Sequence, residues 1–137
     1  MYIAAISQSS VIELCHNTTT AIYDIGWVPG RNELLISGGN FSNKLSYLYQ
    51  YDVQNKKQTP LDILETPAIV TSFTFSSPSI LYALETKKYS DGNDDQSRVK
   101  KYDFSSKKII TYTLESRADV IRVKDNVLLL KDWTSGR

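Results

Sequence analysis

Cysteine is almost missing from this chain, with Cys15 standing alone. One thiol closes no internal disulfide, which fits a reducing compartment. Histidine is as scarce: His16 is the single example. That excludes metal sites built from several His and Cys ligands, and it leaves a Ser-His-Asp triad only His16 to recruit. Cys15 beside His16 would suit a nucleophile and its base, but neighbours on a strand point to opposite faces. Cys15 therefore reads as a small, apolar-like residue.

Long apolar runs are absent too. Nothing approaches the ~20 residues of a membrane span, and residues 1–10 carry neither the basic start nor the sustained apolar stretch of a signal peptide. Cytoplasm or nucleus is the expected location. Asn17-Thr18-Thr19 and Asn40-Phe41-Ser42 match the glycosylation acceptor pattern, and without a secretion signal they read as loop chemistry. Charge of one sign is missing as well: 16 Lys and Arg against 15 Asp and Glu leave a net charge of +1. Binders of bulk nucleic acid usually carry a basic face, so that partner class is not expected. Ser37-Gly38-Gly39-Asn40 lacks the Lys-Ser/Thr of a phosphate loop, and no Ser sits in a Gly-x-Ser-x-Gly elbow. No cofactor is expected, and no catalytic constellation is visible.

What is present is strand chemistry. Hydrophobic content of 41% and aromatic content of 11% are globular values, and nine tyrosines with many Val, Ile and Thr favour strand over helix. Turn residues recur at roughly 8–12-residue spacing, which reads as an all-β sandwich, barrel or propeller. The spacing predicts strands near 2–7, 11–14, 22–28, 33–37, 45–52, 57–61, 69–75, 80–84, 99–103, 109–114, 120–123 and 127–130. No segment has the 3.6-residue period of an amphipathic helix. Residues 87–97 form the one stretch of low hydrophobicity and read as a solvated hairpin tip.

The strands repeat. Tyr51-Asp52-Val53-Gln54-Asn55-Lys56-Lys57 returns as Tyr102-Asp103-Phe104-Ser105-Ser106-Lys107-Lys108, and the surrounding pattern returns with it. Trp27, Phe75 and Val123 stand forty-eight residues apart at equivalent places, and all three are expected to be buried on the innermost strand of their unit. The units run from about 20 to 66, 67 to 116 and, in part, 117 to 137. Residues 1–19 read as the end of a preceding unit in a single segment, 1–137.

A four-stranded unit whose third strand ends in aromatic-Asp resembles a β-propeller blade of the WD-repeat group, where that pair is typically Trp-Asp. The Asp caps a tight turn by accepting backbone hydrogen bonds. The motifs are degenerate, and no Gly-His pair precedes either first strand. The resemblance implies an all-β fold of antiparallel four-stranded blades, forming part of a propeller, since closure takes roughly four to eight blades. It implies a non-enzymatic scaffold for other protein subunits. The rhythm is also similar to lactonase-like hydrolase propellers, although none of their metal-binding positions is matched. It is similar, too, to phosphoinositide-binding propellers, whose Phe-Arg-Arg-Gly signature is missing.

Three clusters remain. Lys100, Lys101, Lys107 and Lys108 would bind phosphate groups of a lipid such as a phosphoinositide, or of RNA, or serve as strand-end lysines that keep a sheet edge from pairing with strangers. Asp91, Asp94 and Asp95 offer calcium ligands without EF-hand spacing. Tyr47, Tyr49 and Tyr51 share one strand face, either as a stacking platform or packed against an adjacent sheet. Two and a half units also imply apolar flanks: Leu128 with Leu130, or Val127 with Leu129, at one end, and Ile3, Ala5 and Ile12 at the other.

Overall fold

Short runs of β-branched and aromatic residues, each cut by a turn, fold as antiparallel hairpins in sequence order. The computed structural model describes residues 2–6, 11–16, 21–40, 45–61, 68–87, 96–115 and 117–131. Every regular element among them is a strand: β1 (Tyr2–Ile6), β2 (Val11–His16), β3 (Ala21–Trp27), β4 (Glu33–Asn40), β5 (Leu45–Asp52), β6 (Lys57–Pro60), β7 (Ile69–Ser77), β8 (Ile80–Lys87), β9 (Gln96–Asp103), β10 (Lys108–Thr113), β11 (Val120–Lys124) and β12 (Val127–Lys131). They form two four-stranded sheets, β3-β4-β5-β6 and β7-β8-β9-β10, and two hairpins, β1-β2 and β11-β12. The chain is thus all-β. Among the described residues no sheet closes on itself. Asn40 belongs to β4, where it pairs with Leu45, rather than to a loop.

The register repeats exactly where the sequence does. Trp27 pairs with Leu34, Phe75 with Leu81 and Val123 with Leu128. One pair further in, Gly26 faces Leu35, Thr74 faces Tyr82 and Arg122 faces Leu129. The next are Ile25 with Ile36, Phe73 with Ala83 and Ile121 with Leu130. β11 and β12 are therefore the first two strands of a third unit.

The turns repeat as well. Asp52 Oδ1 accepts the N–H groups of Gln54 and Asn55, both at 3.0 Å. Asp103 Oδ1 accepts those of Ser105 at 2.8 Å and Ser106 at 3.4 Å. This is the turn-capping role expected of the aromatic-Asp pair. Both four-residue turns close through a lysine in the left-handed region, Lys56 at φ 53° and Lys107 at φ 56°. Between β11 and β12, Asp125 and Asn126 have φ of 49° and 62°, the two-residue type I′ turn that suits the strands' twist.

The sheets stack face to face, in one sense. β7 touches β3, β4 and β5, and β11 touches β7 and β8. The second sheet thus has a backward face toward the first sheet and a forward face toward β11-β12, and the faces of the other sheets are named in the same sense. Val28, Leu35 and Leu48 of the first sheet meet Phe73, Leu81, Ala83 and Tyr102 of the second in one buried cluster. Leu84 and Val99 meet Ala118 and Ile121 in another. Burying side chains of this size contributes ~1.5–3 kcal/mol each. Gly26 lets the first joint close, because a Cβ there would stand 3.3 Å from the Phe73 ring.

One expectation fails. Trp27 shares its register with Phe75 and Val123, but it is 59% exposed, whereas those two are half-buried. Its pairing with Leu34 and its alternation with Gly26 and Val28 put it on the backward face of β3. β7 is covered there by the first sheet; among the described residues β3 has no comparable cover.

Candidate interaction surface

The backward face of the first sheet is unevenly covered. Leu34 and Ile36 on β4, with Tyr49 and Tyr51 on β5, form a buried layer. Ile25, at 43%, and Trp27 remain exposed on β3. The exposed large apolar side chains of this face thus lie on the first strand, while β6 at the other edge is exposed along its whole length. In the first internal joint, Phe73 and Phe75 occupy these positions on β7, and Phe73 is 6% exposed under the preceding sheet.

The opposite flank is the forward face of β11-β12. The register sets Leu128 and Leu130 beside Ile121 and Val123, toward β7, and turns Val127 and Leu129 outward. Val127 is 56% and Leu129 57% exposed. Of the two registers the sequence allowed, Val127 with Leu129 is the open one, although Leu130 also stays partly exposed. The other predicted flank, Ile3, Ala5 and Ile12, rests on side chains outside those described.

Where the first strands of the three units converge, a groove of about 260 Å³ is lined by Asp24, Gly26, Trp27, Phe73, Phe75 and Arg122, among others. Arg122 is held against it: Nη1 donates to Ser72 Oγ at 3.2 Å and to the Ile121 carbonyl at 2.7 Å.

The four lysines do not form one patch. Lys100 is 3% exposed, and its Nζ lies 3.2 Å from Glu85 Oε2, while Arg98 Nη2 donates to Glu85 Oε1 at 2.6 Å. β9 is an interior strand, so Lys100 is not a strand-end lysine guarding an edge. Its charge is neutralised inside the sheet, where an unpaired ammonium would be costly. Lys101 alternates to the other face and lies over the Tyr82 ring, 5.9 Å from its centroid. Lys107 and Lys108 remain exposed at the β9–β10 turn.

The tyrosines share one face of β5, with Leu48 on the other. The Tyr47 and Tyr49 rings are 5.4 Å apart, and Tyr49 and Tyr51 are buried, an arrangement of packing rather than of a stacking platform. Asp91, Asp94 and Asp95 lie outside the described residues. Among the described residues, no three His, Cys, Asp or Glu side chains group to hold a metal, and no helix is long and apolar enough to cross a membrane.

Comparison with protein-family models, with curated proteins and with solved structures finds no match in any of the three.

Proposed function

We propose that the chain is a segment of a β-propeller built from WD-repeat-like units, and that it serves as a non-enzymatic scaffold for protein–protein interaction within a larger assembly. Three units in one strand register, stacked in one sense, support the propeller reading. The observation that carries the function is the exposed Ile25–Trp27 pair on a face that is buried at the equivalent joint. Tryptophan on a partly desolvated sheet face is the side chain that most often anchors an interface, and a surface built to pack on another sheet fits a protein partner.

The test is the mass and composition of the complex formed by the tagged chain in its native source. The expected result is a stoichiometric assembly of protein subunits that Trp27→Asp disrupts. Recovery of the chain alone, as a monomer, overturns the reading.

A further inference from the structure

The two open flanks fit each other, and we infer that the partner covering Ile25 and Trp27 is the β11-β12 hairpin of a second copy of this chain, docked head to tail. The inference rests on the interaction-scaffold reading and names its partner.

The internal joint shows what each flank needs. Phe73 and Phe75 on β7 are covered by β3, β4 and β5 of the preceding sheet, and β11 is touched by the first two strands of its own preceding sheet, β7 and β8. A second copy must therefore supply a first and a second strand with an exposed forward face. β11-β12 is such a pair, with Val127 and Leu129 turned outward. Leu129 holds the place that Leu35 holds in the internal joint, because Arg122 pairs with it as Gly26 pairs with Leu35.

Backbone polar groups agree. At the first joint, the Phe73 N–H is accepted by Asp24 Oδ2 of the preceding unit. At the second, the Ile121 N–H is accepted by Ser72 Oγ. The third unit has Val120 at that position, with no side-chain acceptor. The donor it would meet on a second copy is the Ile25 N–H, already accepted by Asp24 Oδ1 of its own chain at 2.9 Å. The flank that offers no acceptor thus matches the flank that needs none, and no buried N–H is left unpaired.

The strand complement closes the argument. β1-β2 stands directly before β3 as β5-β6 stands before β7 and β9-β10 before β11. β1-β2 thus holds the place of a third and fourth strand, and β11-β12 that of a first and second. Added to the β12 edge of a neighbouring copy, β1-β2 completes a four-stranded sheet like the other two. A head-to-tail contact makes a ring when its rotation closes. The described strands of two copies would make six four-stranded sheets, within the roughly four to eight of a closed propeller.

Sedimentation equilibrium of the purified full chain at tens of micromolar tests this with Trp27→Asp and Leu129→Asp, one on each flank. Wild type is expected as a dimer. Each variant alone is expected as a monomer, its association weakened roughly thirtyfold or more. Mixed together they regain a dimer, since one intact flank remains on each. Both residues are mostly exposed, so each variant keeps the wild-type circular dichroism; Ile25→Ser and Val127→Ser repeat the test with milder changes. A monomeric wild type, variants that still dimerise alone, a mixture that stays monomeric, or a ladder of sizes growing with concentration overturns the inference. A monomeric pure chain that enters a hetero-assembly in its native source removes the self-docking and leaves the scaffold reading standing.

Discussion

The Asp24 carboxylate accepts the backbone N–H of Phe73 at 2.9 Å, tying the first strand of one sheet to the first strand of the next. Forty-eight residues on, Ser72 Oγ accepts the N–H of Ile121 at 3.2 Å in the same place. The joint is conserved in geometry while the acceptor changes from carboxylate to hydroxyl. Asp24→Ala and Ser72→Ala each leave a half-buried or buried N–H without its partner, and each is expected to cost ~1–3 kcal/mol. Asp24→Asn, which keeps an acceptor, costs less. Urea midpoints of the three variants check this.

Phe73 and Trp27 should separate burial from register. Phe73→Ala empties a position in the core between the sheets and is expected to lower stability by ~3–5 kcal/mol. Trp27→Ala, measured at high dilution so that association does not contribute, stays within ~0.5 kcal/mol. Denaturant unfolding of both variants decides the matter, and equal losses would contradict the exposure of Trp27.

Glu85 faces two cations, Arg98 and Lys100, in the interior of the second sheet. Glu85→Ala takes the carboxylate away from the enclosed Lys100 ammonium and from Arg98 and is expected to cost ~3–5 kcal/mol. Lys100→Met leaves Glu85 paired with Arg98 and costs less. Thermal unfolding of the two single variants and the double variant measures the coupling, which should be strongly non-additive.

Asp52 and Asp103 predict a shared acid response. Hydrogen bonds from the Asn55 backbone and side chain hold the Asp52 carboxyl below the ordinary aspartate value of 3.8, and the Ser105 N–H does the same for Asp103. A lowered folded-state value means that the two turns add stability above the unfolded value, and that this is lost as pH falls through the folded one. Carboxyl carbon NMR titration should place both midpoints below 3.8. Asp52→Asn and Asp103→Asn should each flatten stability against pH in that range.

Lys107 adopts a left-handed backbone at the β9–β10 turn, a conformation that costs a side-chain-bearing residue roughly 1–2 kcal/mol. Lys107→Gly is therefore expected to raise stability by about 0.5–1 kcal/mol, the gain being reduced by the extra freedom of glycine in the unfolded chain. A lower thermal midpoint would contradict it.

Much of the architecture could be read locally. Apolar alternation and turn residues located each strand close to its observed bounds, because hairpin pairing depends on near neighbours. Tyr51-Asp52 and Tyr102-Asp103 announced their turns, since the capping bonds reach only two or three residues along the chain. The β8 and β9 strands run further than expected, to Lys87 and from Gln96, through a polar stretch whose pairing is set by the partner strand.

The candidate site was less legible. Repetition located Trp27 but not its exposure, because burial depends on what another sheet lays over it. Lys100 looked like part of a basic surface cluster, and only its position across from β8 reveals Glu85 beside it. Asp24 and Ser72 share no side-chain type, so nothing in the repeat marks them as one joint; each acceptor serves a donor forty-nine residues away. Strand period, turn chemistry and register are local properties, so an all-β chain of repeated hairpins is legible residue by residue. Which faces are covered, which charges are enclosed and which flanks stay open depends on how the sheets stack. Burial and pairing between sheets belong to the stacked units, and no single unit carries them alone.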